Sequence, residues 1–233
     1  MLIDDLRGRL VVSCQAYGSE PLNTTAAMLA MAQSVASGGA AGIRAQGLES
    51  IRAINQAVSL PLIGLVKVPG DDVFITPTLQ DALDVAAAGA DIVAVDGTRR
   101  ARPDGLSLAE VIKGIHERTR ALVMADTSCL EDGIAAQEAG ADLVGTTLAG
   151  YTPARAKTDG PDLELVESMA ERLTVPIAAE GRFRWPEEAA RAIKLGAHCV
   201  IVGTSITHPA SITARFIAAM PVTPTTNRSP SVT

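Results

Sequence analysis

Gly39-Ala40-Ala41-Gly42-Ile43-Arg44, Gly89-Ala90-Asp91-Ile92-Val93-Ala94, Gly140-Ala141-Asp142-Leu143-Val144-Gly145 and Gly196-Ala197-His198-Cys199-Val200-Ile201 are one phrase written four times. The leading glycines stand 50, 51 and 56 residues apart. Each ends a helical pattern and opens a β-branched run, the place where a helix C-cap turns into a strand. Four more short apolar runs, at 10–14, 60–66, 121–125 and 175–179, complete a set of eight strands.

The intervening stretches 26–35, 48–56, 79–88, 108–118, 134–139, 163–172, 186–195 and 212–220 carry 3.6-residue patterning or strong helix formers. Several open well. Thr76-Pro77, Ser107 before Leu108, and Trp185-Pro186-Glu187-Glu188 supply first-turn prolines, a cap and carboxylates at the positive helix end. Nearly uniformly apolar strands alternating with helices specify a parallel sheet covered by helices. The count of eight favours a closed α/β (β/α)8 TIM barrel over an open doubly wound sheet. We expect this barrel to be a single domain over residues 1–220. The Pro/Ser/Thr-rich tail 221–233 is expected to be disordered.

Composition narrows the function. The 233 residues are 47% hydrophobic, which excludes a disordered chain and suits one large domain that buries its own core. Twenty Lys and Arg face 26 Asp and Glu, a net charge of −6. That balance offers no basic face to nucleic acid or to an anionic membrane. Three Phe, two Tyr and one Trp are too few for a base-stacking platform. The uncharged stretch 21–43 is alanine-rich with polar insertions, so it reads as a buried helix and not a membrane span. An acidic N-terminus without signal-peptide character, and three cysteines (Cys14, Cys129, Cys199) without CxxC spacing, lead to the expectation of a cytoplasmic protein with buried thiols.

In such a barrel the chemistry lies at the C-terminal strand ends. Those positions read Gln15, Arg44, Lys67, Asp96, Asp126, Thr146-Thr147, Glu180 and Gly203-Thr204. Lys67, at the edge of an apolar interior, is partly desolvated and suited to act as a general base or a Schiff-base nucleophile. Glu180 points into the same mouth, and a lysine beside a glutamate suits proton transfer. Arg44 and Asp126 add a donor and an acceptor for a polyhydroxylated ligand. Glu180-Gly181-Arg182 and Gly203-Thr204-Ser205 occupy the two loops that commonly hold phosphate in this fold. His116 and His198 lack a second ligand at metal spacing, so no metal is expected. Arg99-Arg100-Ala101-Arg102 reads as a solvated loop more than as a lid.

These strand ends resemble the N-acetylmannosamine-6-phosphate 2-epimerases of amino-sugar catabolism. The shared motifs include Ser13-Cys14-Gln15-Ala16, Gly42-Ile43-Arg44-Ala45, Pro61-Leu62-Ile63-Gly64-Leu65-Val66-Lys67 and Met124-Ala125-Asp126-Thr127-Ser128, with Gly145-Thr146-Thr147-Leu148-Ala149-Gly150-Tyr151-Thr152 and Ala179-Glu180-Gly181-Arg182 following. The resemblance implies a cofactor-independent homodimer acting on a phosphorylated N-acetyl amino sugar. It also implies catalysis by Lys67 with Glu180 and sugar contacts from Gln15, Arg44 and Asp126; our own reading of the strand ends adds Thr147 and, in the two phosphate loops, Gly181, Arg182, Gly203, Thr204 and Ser205 as substrate-binding residues. Two places depart from the family. Its usual Ile-Thr-Arg-Pro is here Ile206-Thr207-His208-Pro209, so either His208 binds the phosphate or Arg182 and the loop amides suffice. Ala154-Arg155-Ala156-Lys157-Thr158 replaces a Tyr-Ser continuation. One-base and two-base proton transfer both stay open, as do a Lys67 Schiff base and a phosphosugar sensor without turnover.

Overall fold

The computed structural model describes residues 2–69 and 72–221. Its elements run β1 (Arg9–Cys14), α1 (Thr25–Ser37), β2 (Gly42–Gln46), α2 (Leu48–Ala57), β3 (Leu62–Leu65), α3 (Leu79–Ala87), β4 (Ile92–Asp96), α4 (Leu108–Arg118), β5 (Leu122–Asp126), α5 (Leu130–Glu138), β6 (Leu143–Gly145), α6 (Leu163–Arg172), β7 (Ile177–Glu180), α7 (Pro186–Lys194), β8 (Cys199–Val202), α8 (Thr204–Thr207) and α9 (Pro209–Ala219). The strands close in order from β1 to β8, every pair parallel, with β8 returning to β1 through Leu10↔Val200. This is the (β/α)8 TIM barrel expected from the fourfold phrase. Apart from Pro221, the tail expected to be disordered lies outside the described residues.

The four repeated glycines do what their position demanded. Gly39, Gly89, Gly140 and Gly196 have φ of 93°, 105°, 96° and 101°, left-handed angles that cost glycine least. The alanine after each donates its N–H five residues back, as in Ala40 to the Val35 carbonyl and Ala141 to that of Ala136. That is the six-to-one bond of the Schellman cap, and it turns each helix straight into the next strand.

Side-chain parity sorts the strands into two cores. Val11, Ile63, Leu65, Ile92, Met124, Leu143, Ala178, Cys199 and Ile201 fill the barrel interior. Their neighbours Val12, Ile43, Leu62, Val93, Val123, Val144 and Ile177 pack outward with helix residues such as Ile51, Val85, Ile112 and Leu165. Ser107 and Pro186 start their helices as expected, whereas α3 begins at Leu79 on a Thr78 cap, so Thr76-Pro77 stands before the helix and not in its first turn. Ser107 and Thr78 form capping boxes with Glu110 and Asp81, and Pro186 opens α7. No helix among the described residues is long and apolar enough to cross a membrane.

Two further elements differ from the sequence expectation. Helix α5 begins at Leu130, not 134, because Glu131 and Asp132 occupy its positive first turn. The stretch after β8 forms two helices, the short α8 and then α9, because Pro209 cannot continue the ladder of α8 but suits the first position of α9.

Candidate active site

Counting by twos from the inward residues leads directly to the mouth. Ile63 and Leu65 precede Lys67, Met124 precedes Asp126, Ala178 precedes Glu180, and Val11 precedes Ser13 and Gln15. A cavity of about 650 Å³ opens there, lined by Gln15, Tyr17, Arg44, Lys67, Thr147 and Glu180 among others.

At its floor one guanidinium holds two carboxylates. Arg44, 2% exposed, donates from Nη2 to Asp126 Oδ2 at 2.6 Å and from Nη1 to Glu180 Oε2. The Thr147 hydroxyl lies 2.6 Å from Asp126 Oδ1 and 3.0 Å from Glu180 Oε2. Asp126 has no exposed surface and lies beneath the cavity lining. The partners it has there are Arg44 and Thr147. Gly145 makes room for this cluster, since a Cβ there would meet Met124 Cε at 2.4 Å and Asp126 Oδ1 at 3.1 Å.

Glu180 pairs with Arg44, and no ion pair joins it to Lys67. Burial pushes the Glu180 carboxyl above the ordinary glutamate range, with Arg44 opposing and the Asp126 charge adding to the rise. Lys67 moves the other way. Burial and then the Arg44 charge push its ammonium below the ordinary lysine range, against the pull of Glu180 and Asp126. The two shifts bring the proton affinities of Lys67 and Glu180 closer together, which suits a base and an acid lining one cavity.

A strained ribbon presents Lys67. Lys67 bridges to Ile75, Val68 N–H donates to the Phe74 carbonyl at 2.9 Å, and Thr76 N–H to that of Val66 at 2.8 Å. Thr76 is buried at φ 43°, a costly angle for a β-branched residue, and its hydroxyl accepts from Val66 N–H. Lys67 Nζ stands 5.2 Å from the Tyr17 ring centre.

The loops after β7 and β8 converge as expected. Gln15 Nε2 donates to Thr204 Oγ1 at 3.1 Å, and Gly203 permits it, because a Cβ there would lie 2.5 Å from that nitrogen. Ser205 Oγ donates to the Phe183 carbonyl at 2.7 Å. Gly181 turns at φ 116° to bring Arg182 to the rim. Arg182 then gives Nε, Nη1 and Nη2 to the Gly160 carbonyl, the Ala149 carbonyl and Thr158 Oγ1, so it braces the loop after β6. His208 does not line the cavity. Its Nδ1 accepts from Ser211 N–H and its Nε2 lies 2.6 Å from Glu20 Oε1, so it caps α9 and ties down the loop after β1.

Other expectations resolve similarly. Asp96 faces Arg100 at 2.6 Å and Thr98, with no exposed surface, and takes no part in the cavity lining. The arginine cluster is solvated only in part: Arg99 is exposed while pairing with Asp132, but Arg102 is buried on the Asp96 and Pro77 carbonyls. The altered segment after Tyr151 is exposed apart from half-buried Arg155, which pairs with Asp162, and Lys157 Nζ stands 4.8 Å from the Tyr151 ring centre. Cys14, Cys129 and Cys199 are free and buried. Burial pushes the Cys14 and Cys199 thiols up to about 12. Among the described residues no group of three or more His, Cys, Asp or Glu is placed to hold a metal ion. Sequence reasoning missed Tyr17, Tyr151, Arg184 and Arg215, which line the cavity from loops and from α9 where no strand periodicity points to them.

Closed barrel and ionisable mouth define a (β/α)8 barrel whose chemistry, as in that class generally, sits at the C-terminal strand ends. Residues 28–222 match the family described as "Putative N-acetylmannosamine-6-phosphate epimerase". The chain is 52% identical over 221 residues to the "Putative N-acetylmannosamine-6-phosphate 2-epimerase" of Cutibacterium acnes, covering 94% of this chain and 96% of that one. It is 48% identical over 219 residues to the protein of the same description from Caldanaerobacter subterraneus subsp. tengcongensis, covering 93% and 92%. The solved N-acetylmannosamine-6-phosphate 2-epimerase of Clostridium perfringens superposes with a TM-score of 0.91 at 40% identity, over 94% of this chain and 96% of that one. The chain belongs to the N-acetylmannosamine-6-phosphate epimerase family and is an isomerase.

Proposed function

We propose that this enzyme interconverts N-acetylmannosamine 6-phosphate and N-acetylglucosamine 6-phosphate by moving a proton at C2 of the ring-opened sugar. The observation that carries the reading is the placement of Lys67 and Glu180. Lys67 follows β3 and Glu180 ends β7, four strands apart in a ring of eight, so they flank the cavity from opposite walls. The relatives' names supply the substrate class.

The carbon bearing the N-acetyl group is α to C1, so the open-chain aldehyde makes its proton acidic. Neutral Lys67 takes that proton, and the C–H electron pair moves into an enolate with its charge on O1. Protonated Glu180 returns a proton to the opposite face, forming a new C2–H bond and inverting the centre. The pair ends as ammonium and carboxylate with its total charge unchanged, and proton return from Lys67 to Glu180 resets it. Arg44, fixed by Asp126, holds the Glu180 carboxyl in place, and donors such as Gln15 are available to the oxygens of the sugar. Cytoplasmic location and a homodimer accompany this reading.

Incubation of either sugar phosphate in heavy water tests it. Two bases on opposite faces place solvent deuterium at C2 of the product, while substrate recovered early keeps its proton. Tight binding without exchange would make the protein a sensor. A borohydride-trapped covalent adduct on Lys67 would replace the enolate by a Schiff base.

A further inference from the structure

The cavity carries a guanidinium to which nothing in the reaction above gives a task. Arg215 lies on α9, and its side chain reaches back across the mouth to the loop after β8. Nη2 donates to Ser205 Oγ at 3.1 Å and Nη1 to the Arg184 carbonyl at 3.2 Å, while Cζ stands 5.7 Å from the Trp185 ring centre. These contacts fix the plane of the fork and engage two of its five N–H groups.

Apart from Lys67, whose task the reaction above sets, every other cation lining the cavity is already engaged. Arg44 holds Asp126 and Glu180, and Arg184 donates to both oxygens of Asp159 at 3.1 and 3.0 Å. Arg182 has each of its three nitrogens on an oxygen of the loop after β6. His208 has both ring nitrogens engaged and lies outside the lining. Among the described residues Arg215 forms no ion pair with any carboxylate and makes hydrogen bonds through only two of its N–H groups, beside a serine hydroxyl and the glycine-led turn at Gly203.

We propose that Arg215 is the cation that binds the phosphate of the substrate, presented by Ser205 and set in orientation by the Arg184 carbonyl and the Trp185 ring. A planar fork with free donors matches a phosphate dianion, and unlike a histidine it keeps its charge at every working pH. The inference rests on the phosphosugar reading, so its test separates the two.

Isothermal calorimetry with N-acetylglucosamine 6-phosphate and with N-acetylglucosamine, run on the wild type and on Arg215→Gln, measures the preference for the phosphorylated sugar. Loss of one charge-assisted hydrogen-bonded contact should lower that preference about 10–100-fold. In turnover the loss should fall mainly on KM, and Arg215→Lys should recover part of it. Circular dichroism melts establish that the variants are folded, which α9 makes simple because none of its residues is buried. A twofold or smaller change in preference overturns the proposal, as does a wild type that binds the two sugars equally. If the preference depends on Arg215 but C2 never exchanges, the epimerase reading fails and the assignment of Arg215 stands.

Discussion

Replacing Asp126 with Asn removes a charge and almost no volume, so its effect reads the electrostatics of the cluster directly. Arg44 is 2% exposed and Asp126 fully buried, with the two joined by bonds of 2.6 and 3.4 Å. Stripping one partner from a buried ion pair costs about 3–5 kcal/mol, because the other charge is left uncompensated. Glu180 still touches Arg44 Nη1, which puts Asp126→Asn at the lower end, about 3 kcal/mol. For a chain of this size that is a fall in Tm of about 6–12 °C. The second effect falls on chemistry. With Asp126 gone, the guanidinium draws its counter-charge from Glu180, whose carboxyl ionises and no longer delivers a proton. Loss of a general acid lowers kcat about 10²–10⁴-fold. Melting by circular dichroism and deuterium wash-in at C2 measure the two effects separately. A variant melting within about 2 °C of wild type, with kcat within about threefold, would refute both the buried-pair energetics and the view that Arg44 sets the state of Glu180.

Lys67→Ala should lower turnover by about 10⁴-fold or more while the barrel stays folded, and a variant keeping a tenth of wild-type activity would mean another group is the base. The pH dependence of kcat/KM should be a bell whose limbs belong to the coupled pair. Burial raises Glu180 and lowers Lys67, so the acid limb should lie above the ordinary glutamate value of about 4.3 and the alkaline limb below the ordinary lysine value of about 10.4. Limbs at those ordinary values, after correction for the phosphate's own ionisation, would contradict the burial argument. Finally, Cys14 and Cys199, buried and raised to about 12, together with buried Cys129 should not react with a thiol-selective chromogenic disulfide at pH 8 until denaturant is added; rapid labelling of the native protein would show that the mouth opens further than described.

What the sequence determined by itself follows from short-range rules. Four glycine-led phrases announced helix-to-strand turns because a left-handed cap is a local demand of the backbone, and period-two burial carried the count from Ile63 to Lys67 and from Ala178 to Glu180. Those rules, with the number of strands, were enough for the closed barrel and for most of its mouth. They place a side chain on the interior face but say nothing of its partner. Asp96 and Asp126 end neighbouring strands as paired residues, with identical sequence credentials, yet Arg100 claims the first and Arg44 the second. Arg182 and His208 sat in the right loops, and their donors went to other oxygens. Arg215 came to the mouth from a helix with no strand register to announce it. Which charge meets which, and hence which proton moves, depends on distances between residues far apart in the chain, and only the closed barrel sets those.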